Sequence, residues 1–206
     1  MQPIDKPVSC LITRGLATDD DAASREDVLD AVRLGVEHGV SMIQIREKQL
    51  SGRHLFGLVR SAAEITRNSN TKLIVNDRAD IAASTGSDGV HLRSDSMLPA
   101  VVRAAFPGLL IGCSVHSVEE AVAASRESDF AVFGPVFVSP GKGEPAGLAG
   151  LEAVCRRLSG FPILALGGIT ADNAADAMSA GSAGVAAIRA MNDPVSLATV
   201  MEAMSK

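Results

Sequence analysis

Residues 72–92 read KLIVNDRADIAASTGSDGVHL. Leu73-Ile74-Val75 is a short apolar run with two β-branched members, Asn76-Asp77 ends it with polar groups, a segment of helical composition follows, and Gly89-Val90-His91 opens a second short run. β-branched runs of this length favour strands, and the stretch between them is long enough to cross from one parallel strand to the next. The stretch is therefore a β-α-β unit.

The same alternation repeats in both directions. Candidate strands are Ser9–Thr13, Met42–Arg46, Lys72–Val75, Gly89–His91, Leu110–Cys113, Phe130–Phe133, Pro162–Leu166 and Gly184–Ile188. Helical segments begin near Ser24, Ser51, Asp77, Leu98, Ser117, Gly147, Ala171 and Pro194. Ser117 followed by Glu120 has the form of a capping box, and Thr170 precedes a helix that ends around Gly181. Eight such units in 206 residues predict a single-domain (β/α)8 TIM barrel over residues 1–206, at the compact end of its size range. A doubly wound open sheet shares the alternation, but it normally carries a Gly-rich dinucleotide turn after its first strand, where this chain has Arg14-Gly15-Leu16. The one near match, Gly141-Lys142-Gly143-Glu144-Pro145-Ala146, lies mid-chain with proline at the would-be helix start.

Composition narrows the partners. Hydrophobic residues make up 47% and charged residues 21%, with six Phe and neither Trp nor Tyr, so the core is aliphatic. A net charge of -5 and the lack of aromatic stacking platforms argue against nucleic acid. No apolar run reaches membrane-spanning length, and Met1–Ser9, interrupted by Pro3 and Pro7, lacks the pattern of a signal peptide. Cys10, Cys113 and Cys155 are isolated and odd in number, which fits buried reduced thiols in a cytoplasmic protein. There is no linker-like tract. The stretch Val138–Gly147, rich in Gly and Pro, reads as a loop able to close over a ligand.

In a barrel the polar residues that end each strand converge on the mouth. Arg46 and Lys48 pair a guanidinium fork with a point ammonium, a set suited to phosphate oxygens; the competing reading is a surface salt bridge with Glu47. Asn76-Asp77 offers a carboxylate for a hard cation such as Mg2+, or else a helix cap. His116, whose unperturbed pKa is about 6.5, is the best general acid or base, or else a structural hydrogen bonder. Gly167-Gly168 before a helix gives an anion site or merely a tight turn, and Arg189 ends the last strand nearby.

Taken in order, Gln44-Ile45-Arg46-Glu47-Lys48, Asn76-Asp77-Arg78, Gly89-Val90-His91-Leu92, Ser114-Val115-His116, Gly134-Pro135-Val136-Phe137, Gly167-Gly168-Ile169 and Gly184-Val185-Ala186 resemble the thiamin phosphate synthase and TenI superfamily over nearly the whole chain. For the synthases this resemblance implies a transferase that joins hydroxymethylpyrimidine diphosphate to thiazole phosphate, releasing pyrophosphate with the help of Mg2+. It assigns Gln44, Arg46, Lys48 and Asn76 to the pyrimidine diphosphate, Asp77 to Mg2+, Ser114 and Lys142 to pyrophosphate, and Ser139 with the Gly167-Gly168 turn to the thiazole phosphate.

The chain departs from that pattern in three places. After His91-Leu92 the synthases continue Gly-Gln-x-Asp, whereas this chain reads Arg93-Ser94-Asp95-Ser96; the usual second metal-binding aspartate falls on Ser96, leaving Asp95 as its substitute. Arg189 stands where a phosphate-binding serine is expected, and Arg14 follows Thr13 where the family often has aspartate. These losses point toward the sister activity, a metal-free thiazole tautomerase in which His116 of Ser114-Val115-His116-Ser117 moves a proton. A barrel that binds a thiamin precursor without turnover, and one that takes an unrelated phosphate, complete the alternatives. Barrels of this size often self-associate as homodimers, and nothing in the sequence marks an interface.

Overall fold

The computed structural model describes residues 7–205, so residues 1–6 of the polar opening read above lie outside the described residues. Strands β1 (Val8–Ile12), β2 (Met42–Ile45), β3 (Lys72–Asn76), β4 (Gly89–Leu92), β5 (Leu110–Val115), β6 (Phe130–Phe133), β7 (Ile163–Leu166) and β8 (Gly184–Ala187) alternate with helices α1 (Ala22–Glu37), α2 (Gly52–Thr66), α3 (Ala79–Thr85), α4 (Pro99–Ala105), α5 (Val118–Ala124), α6 (Gly147–Arg157), α7 (Ala171–Ser179) and α8 (Pro194–Met204). Each strand pairs in parallel with the next, and β8 closes on β1, with Cys10 opposite both Met42 and Ala186. Closure removes the sheet edges and excludes the open doubly wound sheet.

The two-residue period of a strand divides the core into two layers. Val8, Cys10 and Ile12 fill the barrel interior with Met42, Ile74, Leu110, Phe130, Val132, Leu164 and Ala186, while Leu11, Ile43, Leu73, Ile111 and Val185 pack under the helices. Each such buried aliphatic side chain contributes roughly 1.5–3 kcal/mol. The narrow interior is filled by setting large against small: the Phe130 ring takes the space beside Gly112, where a Cβ would lie 2.2 Å from it. Carried to the C-terminal ends, the same period makes Gln44, Asn76, His91 and Ser114 the last inward positions of β2 to β5. The barrel's own geometry thus delivers them to the mouth.

Boundaries shift where hydrogen bonds decide them. β3 runs on to Asn76, which pairs with His91, and β5 runs on to Val115, which pairs with Phe133. α1 starts at Ala22 rather than Ser24, because the Asp21 carboxylate accepts from the Ala23 and Ser24 amides at 2.9 and 3.2 Å. α3 starts at Ala79 rather than near Asp77, whose φ of 61° turns the chain out of helical geometry. Ser117 Oγ accepts from the Glu120 amide at 3.1 Å, but the Glu120 carboxylate takes the His116 amide instead of closing a reciprocal box. Thr170 and Asn173 of α7 do form one. Cys10 and Cys113 are buried, and burial pushes both thiols up, Cys10 to about 12; Cys155 is only partly buried. Among the described residues no helix is long and apolar enough to cross a membrane.

Candidate active site at the barrel mouth

The floor of the mouth is a chain of buried polar groups spanning four neighbouring strands. The Gln44 amide donates to Asn76 Oδ1 at 3.2 Å and to His91 Nδ1 at 2.8 Å. That leaves the His91 proton on Nε2, 3.4 Å from Ser114 Oγ. Beneath, the His91 ring stacks on Phe130 with centroids 6.2 Å apart. Burial is the main force holding the imidazole pKa down, to about 4, so it is a neutral link near pH 7. Among the described residues no buried side-chain nitrogen or oxygen lacks a partner, so this floor is satisfied throughout.

Above it lies a cavity of 290 Å³ ringed by Arg46, Lys48, Arg93 and Lys142. Ser94, Asp95, His116, Ser139 and Gly167 join Gln44, Asn76, His91 and Ser114 in the polar lining, and Ile12, Leu166 and Ile188 form an apolar wall. Burial and then the charges of Arg46 and Arg93 push the Lys48 ammonium down, with Lys142 adding to them, which registers the positive field of the mouth inside a chain of net charge -5. The competing arrangement, a surface pairing of Arg46 and Lys48 with Glu47, is not formed. Glu47 is 3% exposed and accepts from the Thr13 hydroxyl at 2.6 Å and the Gly15 and Ala17 amides at 3.0 and 2.9 Å. Its carboxylate ties down the β1–α1 loop. Thr13 Oγ1 in turn accepts the Arg46 amide at 2.8 Å, and the guanidinium lies over Gly15, where an added Cβ would come within 3.2 Å of Arg46 Nη1.

Asp77 does not cap α3. Its Oδ1 accepts the Arg93 amide at 3.2 Å and its Oδ2 accepts Arg93 Nε. Burial alone would raise this carboxyl, but hydrogen bonds from Ser96 and from Arg93, with the guanidinium charge, hold it below the usual carboxylate range. Asp95 is 72% exposed and stands 3.5 Å from Arg93 Nη2, so one guanidinium serves both carboxylates expected to bind Mg2+. Among the described residues no group of three or more His, Cys, Asp or Glu side chains is placed to hold a metal. Mg2+ asks for near-octahedral oxygen donors, and this donor set does not fit it as the side chains stand.

His116 Nδ1 lies 2.5 Å from the Gly134 carbonyl oxygen. Gly167 and Gly168 have φ of 101° and 65°, and Cβ atoms there would lie 2.7 Å from Pro135 Cα and 2.5 Å from the Val138 carbonyl oxygen. Both glycines are thus required by the close approach of the turn to the loop after β6; Gly167 lines the cavity and Gly168 does not. Arg189 is exposed and outside the lining, so it neither fills the cavity nor reaches into it. The sequence did not single out Arg93 as a cavity residue, nor the apolar wall; the wall follows from the strand period, since Leu166 and Ile188 keep the inward parity of Leu164 and Ala186. A larger groove of 610 Å³ runs along α1, but Asp27, Asp30, Glu37 and Glu47 outweigh Arg14 and Arg33 in its lining, which makes it a poor place for a phosphate.

The model of the family described as thiamine monophosphate synthase matches residues 15–191. The thiamine-phosphate synthase of Chlorobium luteolum is 39% identical over 189 residues, covering 90% of this chain and 85% of that protein. That of Methanoculleus marisnigri is 39% identical over 181 residues, covering 85% of each. The structure of thiamine phosphate pyrophosphorylase from Pyrococcus furiosus superposes with a TM-score of 0.83 at 28% identity, over 96% of this chain and 95% of that one. With the barrel closed, the cation ring in place and the match running from the first loop past the last strand, the chain belongs to the thiamine monophosphate synthase family.

Proposed function

We propose that the protein joins hydroxymethylpyrimidine diphosphate to thiazole phosphate, giving thiamin phosphate and pyrophosphate. The observation that carries this reading is the ring of Arg46, Lys48, Arg93 and Lys142 around a cavity whose floor is neutral and hydrogen-bonded. In the transfer, the bond between the pyrimidine methylene carbon and the diphosphate oxygen breaks, and its electron pair leaves with pyrophosphate. The thiazole nitrogen lone pair then forms the new carbon–nitrogen bond. Charge accumulates on the departing oxygens, and cations already fixed at that place stabilise it without reorganisation. The Gln44 and Asn76 amides suit the polar edge of a pyrimidine, and Ile12, Leu166 and Ile188 give a planar ring a dry face. Ser114 and Lys142 are assigned to pyrophosphate, and Ser139 with the Gly167 turn to the thiazole phosphate. Mg2+, which the family resemblance implies, would need Asp77 and Asp95 released from Arg93. We assign the reaction to the cytoplasm, since its charged phosphate esters do not cross membranes unaided.

One observation favours a second reading. His116, with Nδ1 held by the Gly134 carbonyl, keeps a basic Nε2, as a thiazole tautomerase would require. Incubating the purified protein with both substrates, with Mg2+ and with excess EDTA, separates the two. Thiamin phosphate and pyrophosphate appearing together in equal amounts is the expected result. No product at high protein concentration, with turnover of the thiazole carboxylate tautomer in the same sample, would replace the transferase reading with the second.

A further inference from the structure

Arg93 sits at the end of β4, between the two carboxylates that the family resemblance offers to a metal. Its backbone amide and Nε both go to Asp77, and its Nη2 reaches Asp95 at 3.5 Å. Arg93 and Asp95 line the cavity, and Asp77, whose side chain is 21% exposed against 44% for Arg93, stands directly behind them on the Arg93 guanidinium. We propose that Arg93 is a built-in cation occupying this seat, and that its guanidinium and a divalent metal ion exclude each other at Asp77.

Three observations support exclusion. The first is occupancy: both Asp77 oxygens are already acceptors for Arg93, and a bound metal would have to take at least one of them. Electrostatics is the second, because Arg46, Lys48 and Lys142 ring the same cavity, and a further divalent charge would enter an already positive field unless Arg93 leaves. The third is the donor count. Ser96 stands where a second aspartate is expected, so the carboxylates left at the seat are Asp77 and the exposed Asp95, and both are already paired with the Arg93 guanidinium. A guanidinium carries five N–H donors; Nε donates to Asp77 and Nη2 only pairs with Asp95 at 3.5 Å, leaving donors for an oxygen of an anion in the cavity. The inference rests on the transferase reading only for what that anion is.

The test needs no substrate, so it can fail while transfer activity stands, and transfer can fail while it holds. The full-length protein is titrated with Mn2+, and the free aqua ion is followed by electron paramagnetic resonance in wild type, Arg93→Gly and Arg93→Gly/Asp77→Asn. We expect Arg93→Gly to bind Mn2+ at least tenfold more tightly than wild type, and the added Asp77→Asn change to remove that gain. Equal affinity of wild type and Arg93→Gly, including no binding by either, overturns the proposal, as does a gain that survives Asp77→Asn. Should Arg93→Gly fail to fold, Arg93→Gln carries the same comparison, since it keeps much of the aliphatic stem and removes the charge.

Discussion

The Nδ1 of His116 lies 2.5 Å from the carbonyl oxygen of Gly134. A carbonyl only accepts, so the ring proton sits on Nδ1 and Nε2 is left as the basic nitrogen. A positioned base that moves a proton in the rate-determining step contributes 10²- to 10⁴-fold. Under the transferase reading no proton moves between carbon atoms, and His116→Ala should lower kcat for thiamin phosphate formation by no more than about tenfold. A loss in the general-base range, measured under saturating substrate, would give His116 a proton-moving role in the transfer itself.

The fully buried His91 predicts how stability depends on acid. Desolvation, the largest influence, lowers its pKa to about 4, with Asp77 and a backbone contact to Cys113 pulling the other way. Its unfolded value is about 6.5, so the unfolded chain binds the proton first. The contribution is complete above about pH 6.5 and is lost as the pH falls toward 4, to an extent of about 2–3 kcal/mol by pH 4.5. Urea unfolding at the two ends of that window should show the decline in wild type and a flatter profile in His91→Gln. Parallel profiles would mean that the imidazole is not the group responsible.

Glu47 should matter to stability more than its place in a charged sequence suggests. Glu47 is 3% exposed and its carboxylate takes one hydroxyl and two amide donors of the loop after β1. Removing it leaves those donors without their acceptor in a closed environment, which costs about 3 kcal/mol for charge-assisted bonds of this kind. Glu47→Ala is expected to lower the urea midpoint accordingly. Glu47→Gln, which restores an acceptor oxygen without the charge, should recover part of the loss; a midpoint unchanged in both variants would show that the loop holds itself.

The residues that were legible from sequence, and those that were not, differ in how far their roles depend on distant partners. Gln44, Asn76 and Ser114 end apolar runs, and a strand's two-residue period carries them inward whatever the loops do. The competing reading of Glu47 as a surface partner arises because Arg46 and Lys48 flank it; the parity that makes Ile43 and Ile45 face the helices makes Glu47 do the same, under a loop 30 residues away in sequence. Asp77 read as a possible helix cap because the reversal of its backbone, φ 61°, is a tertiary choice that leads its carboxylate to Arg93 across 16 residues. Arg189 ended a strand as the others did, yet it follows Ile188, which holds the inward position, and parity turns it away from the cavity.

Arg46 is the residue on which charge and shape make separable predictions. Its amide is fixed by the Thr13 hydroxyl at 2.8 Å and its guanidinium lies over Gly15, so the fork approaches the cavity from one direction. A fork can meet two diphosphate oxygens at once, whereas lysine presents a single point of charge. Arg46→Lys should therefore keep the field of the mouth but lose the second contact, raising KM for the diphosphate substrate roughly tenfold, in line with about one charge-assisted bond, while kcat changes less. Arg46→Ala removes charge that the leaving group needs in the transition state, and kcat should fall as well, by roughly 10²-fold. Thermal midpoints within about 2 °C of wild type would keep both effects at the site, since single surface substitutions usually shift stability by about 0.5 kcal/mol or less. If Arg46→Lys were to lower kcat as far as Arg46→Ala with KM unchanged, the guanidinium would be acting on the transition state through its geometry alone, and the pairing of Arg46 with ground-state diphosphate would have to be abandoned.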